Sequence, residues 1–557
     1  MKEKMYMDQI RIAVIGGGAG AREFVIRLGD SFPDSVVLSL DVFSAEHTFG
    51  HGVAWTPEET PVLANMRAET LGPDYHEFEI IQEILEKTGD KEAGAEYPSR
   101  NAMSRALDER WKSNNPSTRP NIAVNIISGN VVELTKLEDN TVTVKYTENN
   151  VGAKQTCNGY QFVVLALGNI KSKKPDIFKS FSGYIDGWDI ESIRRIKSNE
   201  KVLIRGSSLS SIDATMRMLH HTGNGVSQES RWQPNNILWY SRSGKLPFVR
   251  PKQLKLGSYF VDYPYLTNLI NELESKKQSL TLEDVQSLLL SELRVQEFKK
   301  KGRFYECPKG LTSIQNLVED DMQTVLGRDH DDIEQDGFDV KPQQVMLQES
   351  IDLADAYSLW FSVAKLLDEY TIPLVWNALD LKNKELFLTK YRRIFDKFWA
   401  PIPKVNGERL LRWLKEGMVH SVEYPDEDSL ILKEGKIYLS EDIENESLSS
   451  TLEYTGNGFS YLINCGGISS NPFQMDNALV EKMHEKSQIS PYFIGEQAYG
   501  IKLNWYTGAV WNQNEEEHGW LYTLTGSLTT GAHRFTNSYL AVSISAQRTV
   551  NDILRKL

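Results

Sequence analysis

Arg11-Ile-Ala-Val-Ile-Gly16-Gly-Gly18-Ala-Gly20-Ala21 runs directly into Arg22-Glu-Phe-Val-Ile-Arg-Leu28. An apolar run rich in β-branched residues stops at glycines, and apolar residues then recur with helical spacing. The stretch predicts a strand, a tight turn and a helix, which is the opening unit of a doubly wound α/β domain. In that unit Gly16 permits the turn and Gly18 lets the backbone approach a pyrophosphate. Ala21, in the third position of GxGxxG/A, lets the helix pack close to the strand. Gly20 removes one more side chain near the phosphates. The N–H groups of the first helical turn have no partner within the helix and lie at the positive end of its dipole, so they form an anion site.

Outward from this unit, Ser35 to Ser44 (SVVLSLDVFS) reads as the second parallel strand. An acidic residue about 20 positions past the glycines is expected at its end, where it would bind a ribose hydroxyl. Ser44 occupies the end itself, Asp41 lies inside the strand and Glu46 lies just beyond, so Glu46 is the candidate. Gly50-His-Gly-Val-Ala-Trp55, Val62-Leu-Ala-Asn65-Met66 and Tyr97-Pro-Ser-Arg100-Asn101 follow, with Arg100 and Asn101 opening a helix. Residues 121–134 and 141–146 alternate as a β-hairpin. Phe162-Val-Val-Leu-Ala-Leu-Gly168-Asn169 is a buried strand ending in glycine, as expected of the strand that closes a first dinucleotide domain.

A second strand-turn-helix unit begins at Lys201-Val-Leu-Ile-Arg-Gly206-Ser207-Ser208-Leu-Ser-Ser211-Ile-Asp213. It repeats the first, except that Ser208 and Ser211 stand where glycine and a small residue are expected. A Cβ at Ser208 hinders close backbone approach to a pyrophosphate, whereas its hydroxyl offers a hydrogen bond to phosphate. The strand 236–241 leads to Arg242-Ser-Gly-Lys245, cations in the position where a 2′-phosphate would be read; an ordinary basic loop is the other reading. Residues 264 to 400 carry apolar repeats at helical spacing, as at 285–293 and 354–367, and read as an inserted helical module. The acidic run 329–339 reads as a solvated loop, and His220-His221 as a helix end. Cys465 in Asn464-Cys465-Gly466-Gly467 reads as a small buried residue rather than a reactive thiol, because it has no CxxC partner.

The chain has 557 residues, 25% of them charged, with a formal net charge of −14. That length allows two or three domains. The charge argues against nucleic acid or an anionic membrane as a partner, since both require clustered cations. Three scattered cysteines, Cys157, Cys307 and Cys465, form neither a disulfide framework nor a metal site. No apolar run reaches the roughly 20 residues of a membrane helix, and no cleavage-type signal segment is visible. A cytoplasmic location is the expectation, and homo-oligomerisation is compatible with the sequence.

Together these stretches resemble the flavoproteins with two dinucleotide domains that bind FAD and NAD(P), and among them the flavin-dependent N-hydroxylating monooxygenases. The matching pieces are GGGAGA at 16–21, FGHGVAW at 49–55, LAN at 63–65, YPSR at 97–100, VVLALGN at 163–169, GSSLSSIDA at 206–214, YSRSGKLP at 240–247, INCGG at 463–467 and the C-terminal GAHRFTNSYLAVS. The last is similar to the segment in ornithine and lysine N-hydroxylases whose closing helix points its N-terminus at the flavin. FGHGVAW and LAN look more like the branch that includes bacterial aspartate N-oxygenases. The two serines of the second turn and the absence of an acid at Ser44 depart from the pattern.

The resemblance implies an α/β fold with two Rossmann-like dinucleotide-binding domains and a helical insertion. The expected division is an FAD domain over 1–190, an NADPH domain over 191–263, the insertion over 264–400, and a return to both domains over 401–557. The implied activity uses NADPH and O2 to oxygenate the amino group of a small amino acid or amine, through a C4a-hydroperoxyflavin. Gly16, Gly18, Gly20, Ala21, Glu46, Asn65 and Gly168 are assigned to FAD, with His533 and Asn537 near its isoalloxazine. Gly206, Ser207, Ser208, Arg242 and Lys245 are assigned to NADPH. Arg100 and Arg534 are candidates to clamp a substrate carboxylate, with a structural ion pair as the alternative for each. No catalytic side chain and no metal are expected, because the cofactor carries the chemistry. A reductase, an oxidase, a carbon-oxygenating enzyme and a flavin protein without turnover remain the competing outcomes. The tryptophans between 505 and 520 wall a pocket in one reading and belong to a core or interface in the other.

Overall fold

In the computed structural model two parallel sheets organise the chain. The structure describes residues 9–44, 49–58, 60–68, 71–73, 79–149, 151–220, 232, 234–241, 244, 246–251, scattered positions between 268 and 295, 343–355, 372–392, 401–423, 430–439, 458–534, 536 and 538–557. The sequence expectations at Glu46, His221, Arg242, Lys245, 329–339 and Asn537 lie outside these residues.

The strand-turn-helix unit forms as read: β1 (Gln9–Ile15), the glycine turn, then α1 (Ala19–Ser31). Next come β2 (Val37–Ser44), α2 (Ile80–Lys87), α3 (Arg100–Asn114), β3 (Ile122–Lys136), β4 (Val142–Glu148), β5 (Lys154–Tyr160) and β6 (Phe162–Leu165). The hairpin expected at 121–146 is therefore a three-stranded meander. Its third strand, Lys-Gln-Thr-Cys-Asn-Gly-Tyr, is largely exposed and carries a weak apolar signal.

The second unit contains β7 (Tyr184–Asp186), α4 (Ile190–Arg194), β8 (Val202–Arg205), α5 (Leu209–His220) and β9 (Ile237–Ser241). Later in the chain come β10 (Val419–Glu423), the hairpin β11 (Leu430–Lys433) and β12 (Lys436–Leu439), and β13 (Tyr461–Asn464). The hairpin β14 (Pro491–Ile494) and β15 (Gln497–Ile501) precedes β16 (Ala509–Trp511), β17 (Glu517–Thr523) and a closing helix, Tyr539–Lys556.

The first sheet runs β16-β17-β6-β1-β2-β3-β4-β5, parallel from β17 to β3 and antiparallel at both ends. The second runs β10-β9-β8-β13-β7 and is parallel throughout. A strand covered on both faces must be apolar at every position, and its period of two then decides which layer each side chain joins. Ile12 and Val14 of β1 pack with Phe24, Val25 and Leu28 of α1 and with Val550 and Ile553 of the closing helix. Ala13 and Ile15 face the other way, onto Val131, Leu134, Val142 and Val144 of the meander. In the second sheet Val202 and Ile204 meet Ile212, Met216 and Leu219 of α5, while Leu203 meets Phe178, Phe181 and Phe459.

Buried ion pairs tie the two sheets' units together. Glu58 accepts from Arg217 of α5 at 2.9 and 3.1 Å and from Arg194 at 3.4 Å. Arg100 at the start of α3 donates to Asp213 of α5 at 2.5 Å. Val62, on the chain between Glu58 and α3, joins the second core. Among the described residues no helix is long and apolar enough to cross a membrane.

Candidate functional site

The carboxyl ends of β2, β1, β6 and β17 form one edge of the first sheet, the position where open parallel sheets bind ligands. Gly16 has φ +112°, and a Cβ there would run into the carbonyl of Ala166 after β6. Its N–H donates to Phe43 O at 2.8 Å, which draws the turn against the end of β2. Gly17 lies so close to Ser44 that a methyl would overlap the hydroxyl. The turn therefore needs Gly17 as firmly as Gly16, a requirement that the GxGxxG pattern does not state. A small Ser44 at the end of β2 suits the same contact.

Gly18 caps α1 with its backbone alone: no side chain caps this helix, and its first turn holds no acidic residue. A Cβ at Gly18 would meet only Gly52, at 3.5 Å. The uncapped amides thus open onto a space bounded by the loop that carries Gly52. That loop is held in place, because Gly50 N–H donates to Gly17 O at 2.6 Å and buried Arg22 reaches both the Phe49 carbonyl and Asp108. Gly20 also lies against the closing helix: a methyl there would meet Val542 Cγ1 at 2.9 Å, so its missing side chain gives room to that helix.

Asp41 is consumed by structure: it accepts from Arg11 at 2.9 Å, Asn125 at 2.8 Å and the Tyr160 hydroxyl at 2.7 Å. Burial and that carboxylate push the Tyr160 phenol far above its usual range, so it stays a donor.

Across the edge, Gly168 follows β6 with φ +58° and nothing near its missing side chain. Gly526 packs so tightly on it that any Cβ at Gly526 would strike the Gly168 carbonyl. Ser527 N–H donates to Gly168 O at 2.9 Å, and Ser527 Oγ receives the Ile170 N–H at 2.9 Å. The adjacent Asn169 Oδ1, like Asn65 Oδ1, is buried without a hydrogen-bond partner among the described residues. An unpartnered buried amide oxygen costs about 1–3 kcal/mol, and a ligand hydroxyl or N–H would relieve it. Glycines that a Cβ would block, uncapped helix amides and unpartnered amide oxygens together fit a dinucleotide with a pyrophosphate and polar ring edges.

His533 is held at both ring nitrogens. Its Nδ1 meets Thr525 Oγ1 at 3.1 Å and its Nε2 meets the Trp505 carbonyl at 2.7 Å. The carbonyl can only accept, so Nε2 carries the proton and Nδ1 accepts from the hydroxyl. Desolvation lowers the ring to about 4. His533 thus fastens the one-turn helix Thr530–His533 to Thr525, next to Gly526. Arg534 ends that helix with φ +41° and lays its guanidinium 5.7 Å from the Phe387 ring centre. Of the tryptophans, Trp520 lies in the core under the meander, while Trp505 faces Arg548.

The second turn repeats the first in geometry. Gly206 has φ +115°, and a Cβ would meet the Cys465 carbonyl oxygen at 2.7 Å and Ser211 Oγ at 3.2 Å. Ser211 is fully buried, so the departure from a small apolar residue is accommodated inside the turn. Ser207 Oγ donates to Ser241 Oγ at 2.9 Å, linking the turn to the end of β9. Ser208 is exposed at the start of α5. The Cys465 thiol donates to Ser210 O at 3.4 Å and is pushed up to about 12, chiefly by desolvation, which makes it unreactive. Sequence reasoning had no signal for the packing roles of Gly17 and Gly526, because each acts through a contact distant in sequence. Glu58 and Asp213 are ordinary acids in sequence and become the inter-sheet ties only in space.

Residues 13–170 match the family model of an FAD-NAD(P)-binding domain, and this part of the chain is such a domain. No curated protein matches the sequence. Among solved structures the chain is similar to ornithine hydroxylase from Pseudomonas aeruginosa, with 11% identity, 98% of this chain and 99% of that chain covered, and a TM-score of 0.49. It is similar to L-lysine 6-monooxygenase from Pseudomonas syringae, with 10% identity, coverage of 98% and 99%, and a TM-score of 0.49. For S-allyl-L-cysteine S-oxygenase from Allium sativum the values are 14% identity and a TM-score of 0.30, and the match spans 42% of this chain and 52% of that one.

Proposed function

We propose that this chain, which carries an FAD-NAD(P)-binding domain at 13–170, is a flavin-dependent monooxygenase. In this reading it uses NADPH and O2 to oxygenate the amino group of a small amino acid or amine. The observation that carries the reading is the pairing of two glycine turns with φ near +112° and +115°, each between a parallel strand and a helix, in units joined by buried ion pairs. One turn suits a resident dinucleotide and the other a diffusing one. The likeness of the C-terminal GAHRFTNSYLAVS segment to N-hydroxylases supports the choice of an amine.

Bound flavin, reduced by NADPH, supplies the oxygen activation. The protein binds and orients. Gly16, Gly18 and the first turn of α1, packed through Gly20 and Ala21, receive the FAD pyrophosphate, Glu46 its ribose, and Asn65, Gly168 and Asn169 its polar edges, with Asn537 near the ring. Gly206, Ser207 and Ser208 receive the NADPH pyrophosphate, and Arg242 and Lys245 its 2′-phosphate. Arg534 is assigned to the substrate carboxylate. Arg100 is not, because it is committed to Asp213. The substrate amine must lose its proton to react, and a site that excludes water favours the neutral form.

The test is an absorbance spectrum of the purified protein, followed by NADPH oxidation and O2 uptake with a panel of amino acids and diamines. A yellow protein that forms a hydroxylamine, nitroso or nitro product supports the reading. Turnover that yields only oxidised NADPH and hydrogen peroxide with every amine, or a carbon-oxygenated product, would overturn the amine assignment. A protein that takes up no FAD would overturn all of it.

A further inference from the structure

Gly531 and Ala532 belong to the one-turn helix Thr530–His533, and both are buried. The last carbonyls of a helix have no partner within it, and a buried unpaired carbonyl is costly. Here the partners come from about 155 residues earlier in the chain. Trp376 Nε1–H donates to Gly531 O at 2.7 Å. Asn377 Nδ2 donates one hydrogen to Ala532 O at 2.6 Å and the other to Pro373 O at 2.6 Å. Trp376 and Asn377 lie on the helix Ile372–Ala378, within the stretch that the sequence presented as an insertion.

The same unit makes two further contacts with the C-terminal region. Phe387 stands edge-on to Trp376 at 5.8 Å and beneath the Arg534 guanidinium at 5.7 Å. Lys384 donates to the Tyr492 hydroxyl at 3.0 Å and lies over the Trp376 and Tyr492 rings. Tyr492 in turn packs on Gly531, where any Cβ would strike its ring. Phe387 opens a π-helical turn, Phe387–Tyr391, a distortion common at functional sites.

We propose that the helical stretch 372–391 is a strap that positions the cofactor-closing segment 530–534, with Trp376 and Asn377 as positioning residues. This rests on the flavin reading above. From Trp376 and Asn377 the contacts run through the carbonyls of 531 and 532 to His533, then to Thr525, and so to Gly526 seated on Gly168 at the edge of the first sheet. Neither residue touches that edge. Their hydrogen bonds decide where the backbone of the closing segment lies and therefore the surroundings of the bound flavin.

The test compares full-length wild type with Trp376→Phe, which deletes the N–H and keeps a ring, and with Trp376→Phe/Asn377→Ala. Hydrogen exchange of amides 525–534 is read without added cofactor. Flavin absorbance, FAD dissociation, and kcat and KM for NADPH oxidation are read with it. Losing one buried hydrogen bond is expected to speed exchange in this segment about tenfold, and losing both to do more. The flavin band should shift, and FAD should bind about tenfold more weakly while KM for NADPH stays within twofold. Unchanged exchange in the double variant overturns the strap, whether or not flavin binds. Faster exchange with an unaltered flavin spectrum and FAD affinity overturns its role at the cofactor. A wild type that binds no FAD overturns both that role and the flavin reading, and exchange then still decides the contact itself.

Discussion

Arg100 and Asp213 meet at 2.5 Å with side chains 11% and 5% exposed, one at the head of α3 and the other on α5. A short ion pair thus spans the units of the two sheets. Removing one partner of a buried pair leaves a charge without compensation, at a cost of about 3–5 kcal/mol. Asp213→Leu should cost that much in denaturant unfolding, and Arg100→Leu/Asp213→Leu should recover a large part of it. A double variant no more stable than either single one would show that the pair does not act as a unit.

The glycines of the first turn should separate by mechanism. Gly16→Ala combines φ +112° with a backbone clash at Ala166, and should cost more than about 3 kcal/mol and abolish FAD uptake. Gly20→Ala meets only the tip of Val542 at 2.9 Å, so about 1 kcal/mol is expected. Val542→Ala should suppress the second variant and leave the first unaltered. Thermal unfolding followed by circular dichroism measures both.

His533 gives the protein an acid-labile joint. Its unfolded value is near 6.5 and its folded value about 4, so between these limits the unfolded state binds the extra proton. Stability must therefore fall as pH drops from about 6.5 to 4, by up to about 3 kcal/mol. His533→Gln should flatten that part of the pH–stability curve. An unchanged slope in the variant would assign the acid sensitivity to other groups.

Lys384 predicts a dependence at the opposite end of the scale. Among the described residues no carboxylate pairs with it, and desolvation lowers its ammonium from 10.5 to about 8. Between these values the unfolded state again holds more protons, so stability should rise as pH increases from 8 to 10.5. Lys384→Met should remove that rise and raise stability at pH 7.5, as measured by urea midpoints.

The first unit was legible because a dinucleotide turn writes itself locally: apolar strand, glycines and amphipathic helix lie within 20 residues. The second was legible for the same reason despite its serines, since Gly206 alone bears the positive φ and Ser211 fits inside the turn. The contact of Gly20 with the closing helix was not legible, because sequence shows only the neighbours along the chain and Val542 is not one of them. The third strand of the meander was missed because an exposed edge such as Lys154–Tyr160 needs no apolar alternation.

Short-range pattern in the sequence by itself determined two strand-turn-helix units and their order. Turn geometry and alternating burial are properties of a few adjacent residues, so they are written where they act. Only the tertiary structure decided the employment of each polar side chain. Arg100 went to Asp213, Asp41 to Tyr160 and Arg11, and Trp376 and Asn377 to the carbonyls of 531 and 532. A buried donor must find an acceptor wherever the fold brings one, and partners more than a hundred residues apart leave no mark in the local sequence.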